Sequence, residues 1–240
     1  VRAACSRPVT SGFAQAVGPV MPYTDADVET ARRETFACHN DLFSGSFWVE
    51  PLVTGKYPEE YTAWMAENGF TPPADDLKCR IDFYGVNTYT GRYVTTGKNG
   101  EAVPVTPKPS VPKTDMRWDV FPDSLYWGPK FLYERYRIPI IYTENGVALT
   151  EWKTLEGTVN DDCRIDFVKR YLRALHRAAQ EVEVKGYFYW SFMDNFEWAE
   201  GFSKKFGLIH IDYDTLVRTP KKSAFWYKKV MESNGEEIFK

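Results

Sequence analysis

Four short runs rich in Val, Ile, Tyr and Phe punctuate the chain. They are "FAQAVGPV" (Phe13–Val20), "IDFYGVNTYT" (Ile81–Thr90), "IPIIYTEN" (Ile138–Asn145) and "VKGYFYWSF" (Val184–Phe192). β-branched and aromatic residues at this density predict strands. Between them, polar stretches carry apolar residues at helical spacing. "TDADVETARRETFACHNDLF" predicts a helix capped by Thr24 or Asp25, with acidic residues in its first turn. "YPEEYTAWMAENGF" predicts a short helix with Pro near its start and Asn-Gly after its end. "PDSLYWGPKFLYERY" predicts a helix broken, or begun late, by Gly128-Pro129. "NDDCRIDFVKRYLRALHRAAQEV" predicts the longest helix, with Asn160 as its cap and Ile165, Val168, Leu172 and Leu175 as its apolar stripe. "PKKSAFWYKKVMESNG" closes the series, with Pro at its start and Gly beyond its end. Residues 97–115, Pro-rich and lysine-bearing, read as an extended surface loop.

Strand and helix signals alternate, so the pattern predicts an α/β fold with a parallel sheet. A complete eight-stranded (β/α)₈ barrel needs about 250 residues. This chain has 240, but only about half the strands. Its loops are correspondingly long, and loops after strands are where such folds keep their chemistry. The first residues, "VRAACSRPVTSG", show no period, and residues 1–11 read as an irregular stump before one domain over 12–240.

Composition changes this picture in a few places. A formal net charge of −3 gives no reason to expect a nucleic-acid or membrane-surface partner. The hydrophobic fraction of 43 % suits a chain that buries a sizeable core. Aromatic residues reach 16 %, with eight Trp, which fits either a large core or a cleft whose rings cover pyranose faces. Cys5, Cys38, Cys79 and Cys163 lie far apart with no CxxC spacing, so they read as buried free thiols. His39, His176 and His210 have no partner at metal spacing and read as structural, so neither a metal nor a cofactor is expected. No Asn-x-Ser/Thr sequon and no signal-like opening occur, which points to the cytoplasm rather than to secretion.

"YTENG" (Tyr142–Gly146) delivers one carboxylate, Glu144, at the end of a strand-building run, just before a turn-forming Asn-Gly pair. Alone it would read as a solvent-exposed strand-end glutamate. It does not stand alone. "WSFMDNFEWAEGFSKKFGLIHIDYDTLVRTPKKSAFWYKKV" (Trp190–Val230), "DFYGVNTYTGRYV" (Asp82–Val94), "TDMRWDVFPDSLY" (Thr114–Tyr126) and "ARRETFACHNDLFSGSFWVEPLVTGKYPEEY" (Ala31–Tyr61) accompany it. Together the five motifs resemble, in order and spacing, the second half of glycoside hydrolase family 1, the β-glucosidases. The likeness runs over roughly residues 12–235. It implies a TIM barrel of which this chain supplies about strands five to eight. The family's first half carries an Asn-Glu-Pro motif with the acid/base glutamate, and no such motif occurs here.

The resemblance also implies roles. Retaining hydrolysis uses two carboxyl groups about 5–5.5 Å apart, one attacking the anomeric carbon and one serving as acid and then base. Glu144 resembles the nucleophile. Tyr89 resembles the tyrosine that hydrogen-bonds it, and Asn87 the asparagine near the acid/base group; Thr88, often Tyr in the family, should face away from the cleft. Glu197 and Trp198 resemble the pair that grips the glycon. Trp190 would be the platform under that sugar, Phe206 would close the pocket, and Trp118 would line the aglycon side as an exposed loop residue. Ala16 stands where the family often has Asn. The expected reaction is hydrolysis of a β-linked glucoside or related saccharide, with activity requiring the missing half. The expected partners are that saccharide and either the missing half or a second copy. The alternative is a non-catalytic or degenerate carbohydrate-binding fragment.

Overall fold

The computed structural model describes residues 4–38, 44–73 and 76–240. The first predicted helix stops at Thr35, with Phe36–Cys38 already non-helical, and its remaining positions 39–43, His39 included, lie outside the described residues. Four parallel strands form the main sheet: β1 (Gly12–Ala16), β3 (Phe83–Asn87), β6 (Ile140–Asn145) and β7 (Val184–Tyr189), in the order β1-β3-β6-β7. These are the four predicted strands, somewhat shortened. The sheet is open, with β1 and β7 at its edges.

Two smaller sheets go beyond the predicted elements. β2 (Val20–Pro22), β4 (Arg92–Thr96) and β5 (Ala102–Pro104) form one, with β4 and β5 antiparallel. β5 lies inside the stretch read as loop, where prolines surround too few strand-forming residues to be legible. β8 (Ile209–Ile211) and β9 (Arg218–Pro220) pair as a hairpin before the last helix.

The helices are α1 (Val28–Thr35), α2 (Val49–Thr54), α3 (Glu59–Glu67), α4 (Ser124–Tyr136), α5 (Asp162–Ala179) and α6 (Lys222–Glu232). Three expectations fail in detail. α4 runs unbroken through Pro129. There Gly128 lets the helix lie close to the sheet, since a Cβ at that position would stand 3.1 Å from the Tyr142 hydroxyl. α5 is capped from Asp161, not Asn160. Its buried stripe is Phe167, Val168, Tyr171, Ala174, Leu175 and Ala178, because the two aromatic rings carry more apolar area than Ile165 and Leu172. Arg164 heads that same stripe and is fully buried.

One face of the sheet is covered. Tyr84, Val86, Ile140 and Tyr142 form a core there with Leu125, Leu132 and Tyr136 of α4 and with Phe167, Val168, Tyr171 and Leu175 of α5. The alternating residues look the other way: Gly12 and Ala14 are exposed, Ile141 and Thr143 half-buried, and Phe188 is 61 % exposed. The cysteines correct the composition reading. Cys5, Cys79 and Cys163 are exposed and Cys38 is half-buried, so burial does not account for them. No described helix is long and apolar enough to cross a membrane.

Candidate active site

The C-terminal ends of the parallel strands gather the side chains singled out in the sequence. Glu144 is the penultimate residue of β6, still inside the strand. Strict alternation would send it the same way as Tyr142, into the helix-covered core. A bulge prevents this. Against β3, Val86 pairs with Tyr142 and Asn87 with Glu144, which leaves Thr143 extra. Against β7, Tyr142 pairs with Tyr187 and Asn145 with Tyr189, so β6 uses three residues where β7 uses two. An extra residue re-aims the side chain beside it.

The Asn-Gly pair therefore is not a chain-reversing turn. Asn145 is fully buried and donates its side-chain amide to the Thr88 carbonyl at 2.8 Å. Its side-chain oxygen accepts from the Tyr187 hydroxyl at 2.9 Å. Gly146 is there for close approach: a Cβ would stand 1.8 Å from the Trp190 carbonyl oxygen. The carboxylate is thus followed at once by a residue locked into both neighbouring strands.

Tyr89 follows β3 and donates its hydroxyl to Glu144 Oε2 at 2.6 Å. Burial pushes its phenol far above the ordinary value, and the hydrogen bond to Glu144 and the charges of Glu144 and Glu197 push it further. At neutral pH Tyr89 is therefore a fixed donor. Its ring packs against Trp118 at 5.3 Å and Phe206 at 5.9 Å, and those two lie 6.3 Å apart. Phe206 is 1 % exposed. Trp118 is half-buried in this ring cluster rather than an exposed loop residue, as its predicted role required.

Asn87 accepts a hydrogen bond from the Thr143 hydroxyl at 2.5 Å, beside Glu144. Thr88 is buried and donates to the Val17 carbonyl at 2.8 Å, so it faces away from the site as expected. Ala16 ends β1 opposite Asn87. Trp190 follows β7, and its peptide bond to Ser191 is cis.

Glu197 lies in the loop after β7. Its Oε2 is buried without a hydrogen-bond partner. Burial raises its pKa, hydrogen bonding from Trp190 opposes this, and the charge of Glu144 adds to the rise. The Glu144 charge bears on Glu197, so the two carboxyl groups lie within each other's field. Trp198 is the outlier: it is 82 % exposed, with φ at +43°, and does not join the ring cluster.

Open hollows lie elsewhere on the chain. One of about 690 Å³ runs along the β1 edge past Phe13, Ala16, Trp48 and Leu77, and another of about 570 Å³ lies beside α5 among Val120, Leu149 and Phe167. Glu144 lines neither. The carboxylate stands half-buried at an open sheet end. Among the described residues, no cluster of three His, Cys, Asp or Glu side chains is placed to hold a metal.

Sequence reading missed the residues that hold these loops. Arg164, Lys221, Glu151, Asp161 and Asp194 form a buried charged network behind the site. One signal was available: Arg164 continues the apolar stripe of α5 toward its start, and a charge on a core-facing stripe needs partners.

The model of glycosyl hydrolase family 1 matches residues 10–236. β-Glucosidase A of Thermotoga maritima is 38 % identical over 195 residues, covering 79 % of this chain and 44 % of that protein. A β-glucosidase of Agrobacterium sp. is 39 % identical over 212 residues, covering 85 % and 45 %. Among solved structures, the Thermotoga maritima β-glucosidase in complex with glucoimidazole superposes with a TM-score of 0.77 at 33 % identity, over 93 % of this chain and 51 % of that one. The fold is accordingly a part of a TIM barrel, unclosed, and the chain spans about half the length of the relatives it matches. With the family model matched over nearly its whole length, this chain belongs to glycosyl hydrolase family 1.

Proposed function

We propose that this chain carries the nucleophile side of a retaining β-glycosidase. Glu144 attacks the anomeric carbon of a β-linked glucoside or related saccharide and forms a glycosyl ester. Tyr89 aims it; Glu197 and Trp190 hold the glycon hydroxyls and ring; Trp118 and Phe206 wall the site; Asn87 fixes the strand end beside the carboxylate through Thr143. The observation that supports this most is the 2.6 Å hydrogen bond from the half-buried Tyr89 phenol to a carboxylate that sits beside a bulge in β6. A second carboxyl group is required to protonate the leaving oxygen. Glu197 is the one candidate that the motifs place here, yet the resemblance sets it at the sugar hydroxyls, and its unpartnered buried oxygen suits accepting from them. The acid/base group therefore comes from residues outside this chain, supplied by the other half of the barrel.

The test separates the two half-reactions. Loss of a general acid costs about 10²–10⁴-fold with an ordinary leaving group and little with a strongly activated one. The chain should release 2,4-dinitrophenolate from its β-glucoside while leaving alkyl glucosides intact. Azide, which needs no general base, should speed turnover and give a β-configured glucosyl azide. Turnover of alkyl glucosides by the chain alone would refute the need for an outside acid. Reversible sugar binding without dinitrophenolate release would make the chain a binding module instead.

A further inference from the structure

Arg164 is a fully buried side chain that donates to six acceptors. Its Nε donates to Asp161 Oδ2 at 2.8 Å. Its Nη1 donates to the Val147 carbonyl, to the Tyr189 hydroxyl at 2.7 Å and to the Phe206 carbonyl at 3.0 Å. Its Nη2 donates to Glu151 Oε2 at 3.0 Å and to the Lys205 carbonyl at 3.0 Å. These partners come from four separate segments: the chain after β6, the end of β7, the long loop that follows it, and the start of α5. Lys221 adds a second tie. It pairs with Glu151 Oε1 and with Asp194 Oδ1, and Asp194 Oδ1 in turn accepts from the backbone N–H of Gly207 at 2.9 Å.

A stability role alone does not explain this arrangement. Buried ion networks are weak sources of net stability, because desolvation offsets most of the attraction. What a planar guanidinium does well is fix several acceptors in one plane. Here the fixed acceptors flank one side chain of the site. Phe206 and Lys205 give Arg164 their carbonyls, Gly207 is held by Asp194, and the Phe206 ring bears on Tyr89 at 5.9 Å. Tyr89 carries the hydrogen bond to Glu144.

We infer that Arg164 is a positioning residue for the nucleophile: through the Phe206 backbone it braces the Tyr89 ring, and so sets the Tyr89–Glu144 hydrogen bond. This rests on the reading of Glu144 as nucleophile, but its geometric content can be tested without turnover.

The experiment uses the full chain labelled with 3-fluorotyrosine, the Tyr89 ¹⁹F resonance being assigned by its loss in Tyr89→Phe. Glu144→Gln supplies the reference shift for a weakened acceptor. In Arg164→Lys, which keeps the charge but not the fork, the Tyr89 resonance should move toward that reference while those of core Tyr84 and Tyr142 stay in place. Where Arg164→Lys does not fold, Phe206→Leu tests the last link and should displace the same resonance. An unmoved Tyr89 resonance in a folded Arg164→Lys or Phe206→Leu chain overturns the proposal, as does equal movement of all three resonances, the mark of a general structural role. The rate of Glu144 labelling by an activated 2-deoxy-2-fluoro-glucoside is read in the same samples. It should fall by about 10²-fold in Arg164→Lys, the cost of a misplacement of roughly 1 Å. Absence of labelling in the wild-type chain would remove the nucleophile reading, and the ¹⁹F shifts would still decide the brace.

Discussion

Glu197 shows what a partly buried carboxylate costs a fold. It is partly buried, has an unpartnered oxygen, and lies within the field of Glu144. Burial first, then that charge, raises its pKa, so folding makes the carboxyl group harder to ionise than in the unfolded chain. Such a group opposes folding once it is ionised, and the penalty grows as pH rises through its folded pKa. Glu197→Gln should therefore stabilise the chain near pH 7, and the gain should vanish as pH falls below the ordinary carboxylate range. Urea midpoints across pH 4–7 read this directly; a variant less stable than wild type at pH 7 would contradict it. The residue is legible as a site candidate because "NFEW" sits in a long family-like stretch. Trp198 beside it is equally legible, yet it stands 82 % exposed. A motif names neighbours in sequence, and the shape of a loop depends on whatever packs against it. Arg164 is the converse: decisive in the interior, but an ordinary charged residue in a polar helix when only the sequence is read.

At the level of single elements, the four main strands are readable because each is a concentrated apolar run. What is not readable is the bulge in β6, since period-two alternation carries no mark for an added residue. That bulge sets where Glu144 faces, for strict alternation would send it the same way as Tyr142, toward α4 and α5. Gly146 is its other half. Any side chain there meets the Trp190 carbonyl, so β6 and β7 would have to part at the site. Gly146→Ala should cost about 1–3 kcal/mol, as overpacking does. The glycosyl-transfer step should weaken along with stability, because Trp190 moves with that carbonyl. Denaturant unfolding measures the first, and a stability change below about 0.5 kcal/mol would contradict the close approach. The continuity of α4 through Pro129 is also illegible, since proline usually ends a helical pattern. Core contacts on both sides of it, made by Leu125 and Leu132, hold the helix across that point.

The molecule as a whole is half of a closed design. Parallel sheets are normally covered on both faces. Among the described residues this one has helices on one side, two unpaired edges, and exposed aromatic rings along the β7 side: Phe188, Phe192, Phe196 and Phe202 are each more than half exposed, from 54 % to 66 %. Open parallel edges and apolar patches of this kind recruit other chains. The isolated chain should associate as its concentration rises, and Phe188→Asp should shift it toward monomer. Sedimentation velocity over a hundredfold range of concentration reads this, and a monomer throughout would contradict it. The partial barrel is legible in the amino-acid sequence through the strand count, because the number of apolar strand runs is a property of the order of residues along the chain rather than of its packing.

The most direct measurement is covalent trapping. The chain is incubated with 2,4-dinitrophenyl 2-deoxy-2-fluoro-β-D-glucoside, whose leaving group needs no acid, and the adduct is located by peptide mass spectrometry. One fluoroglucosyl group on Glu144, abolished by Glu144→Gln and slowed by Tyr89→Phe, is the predicted result. A folded chain that carries its label on another carboxylate, or none after prolonged exposure, would contradict the account.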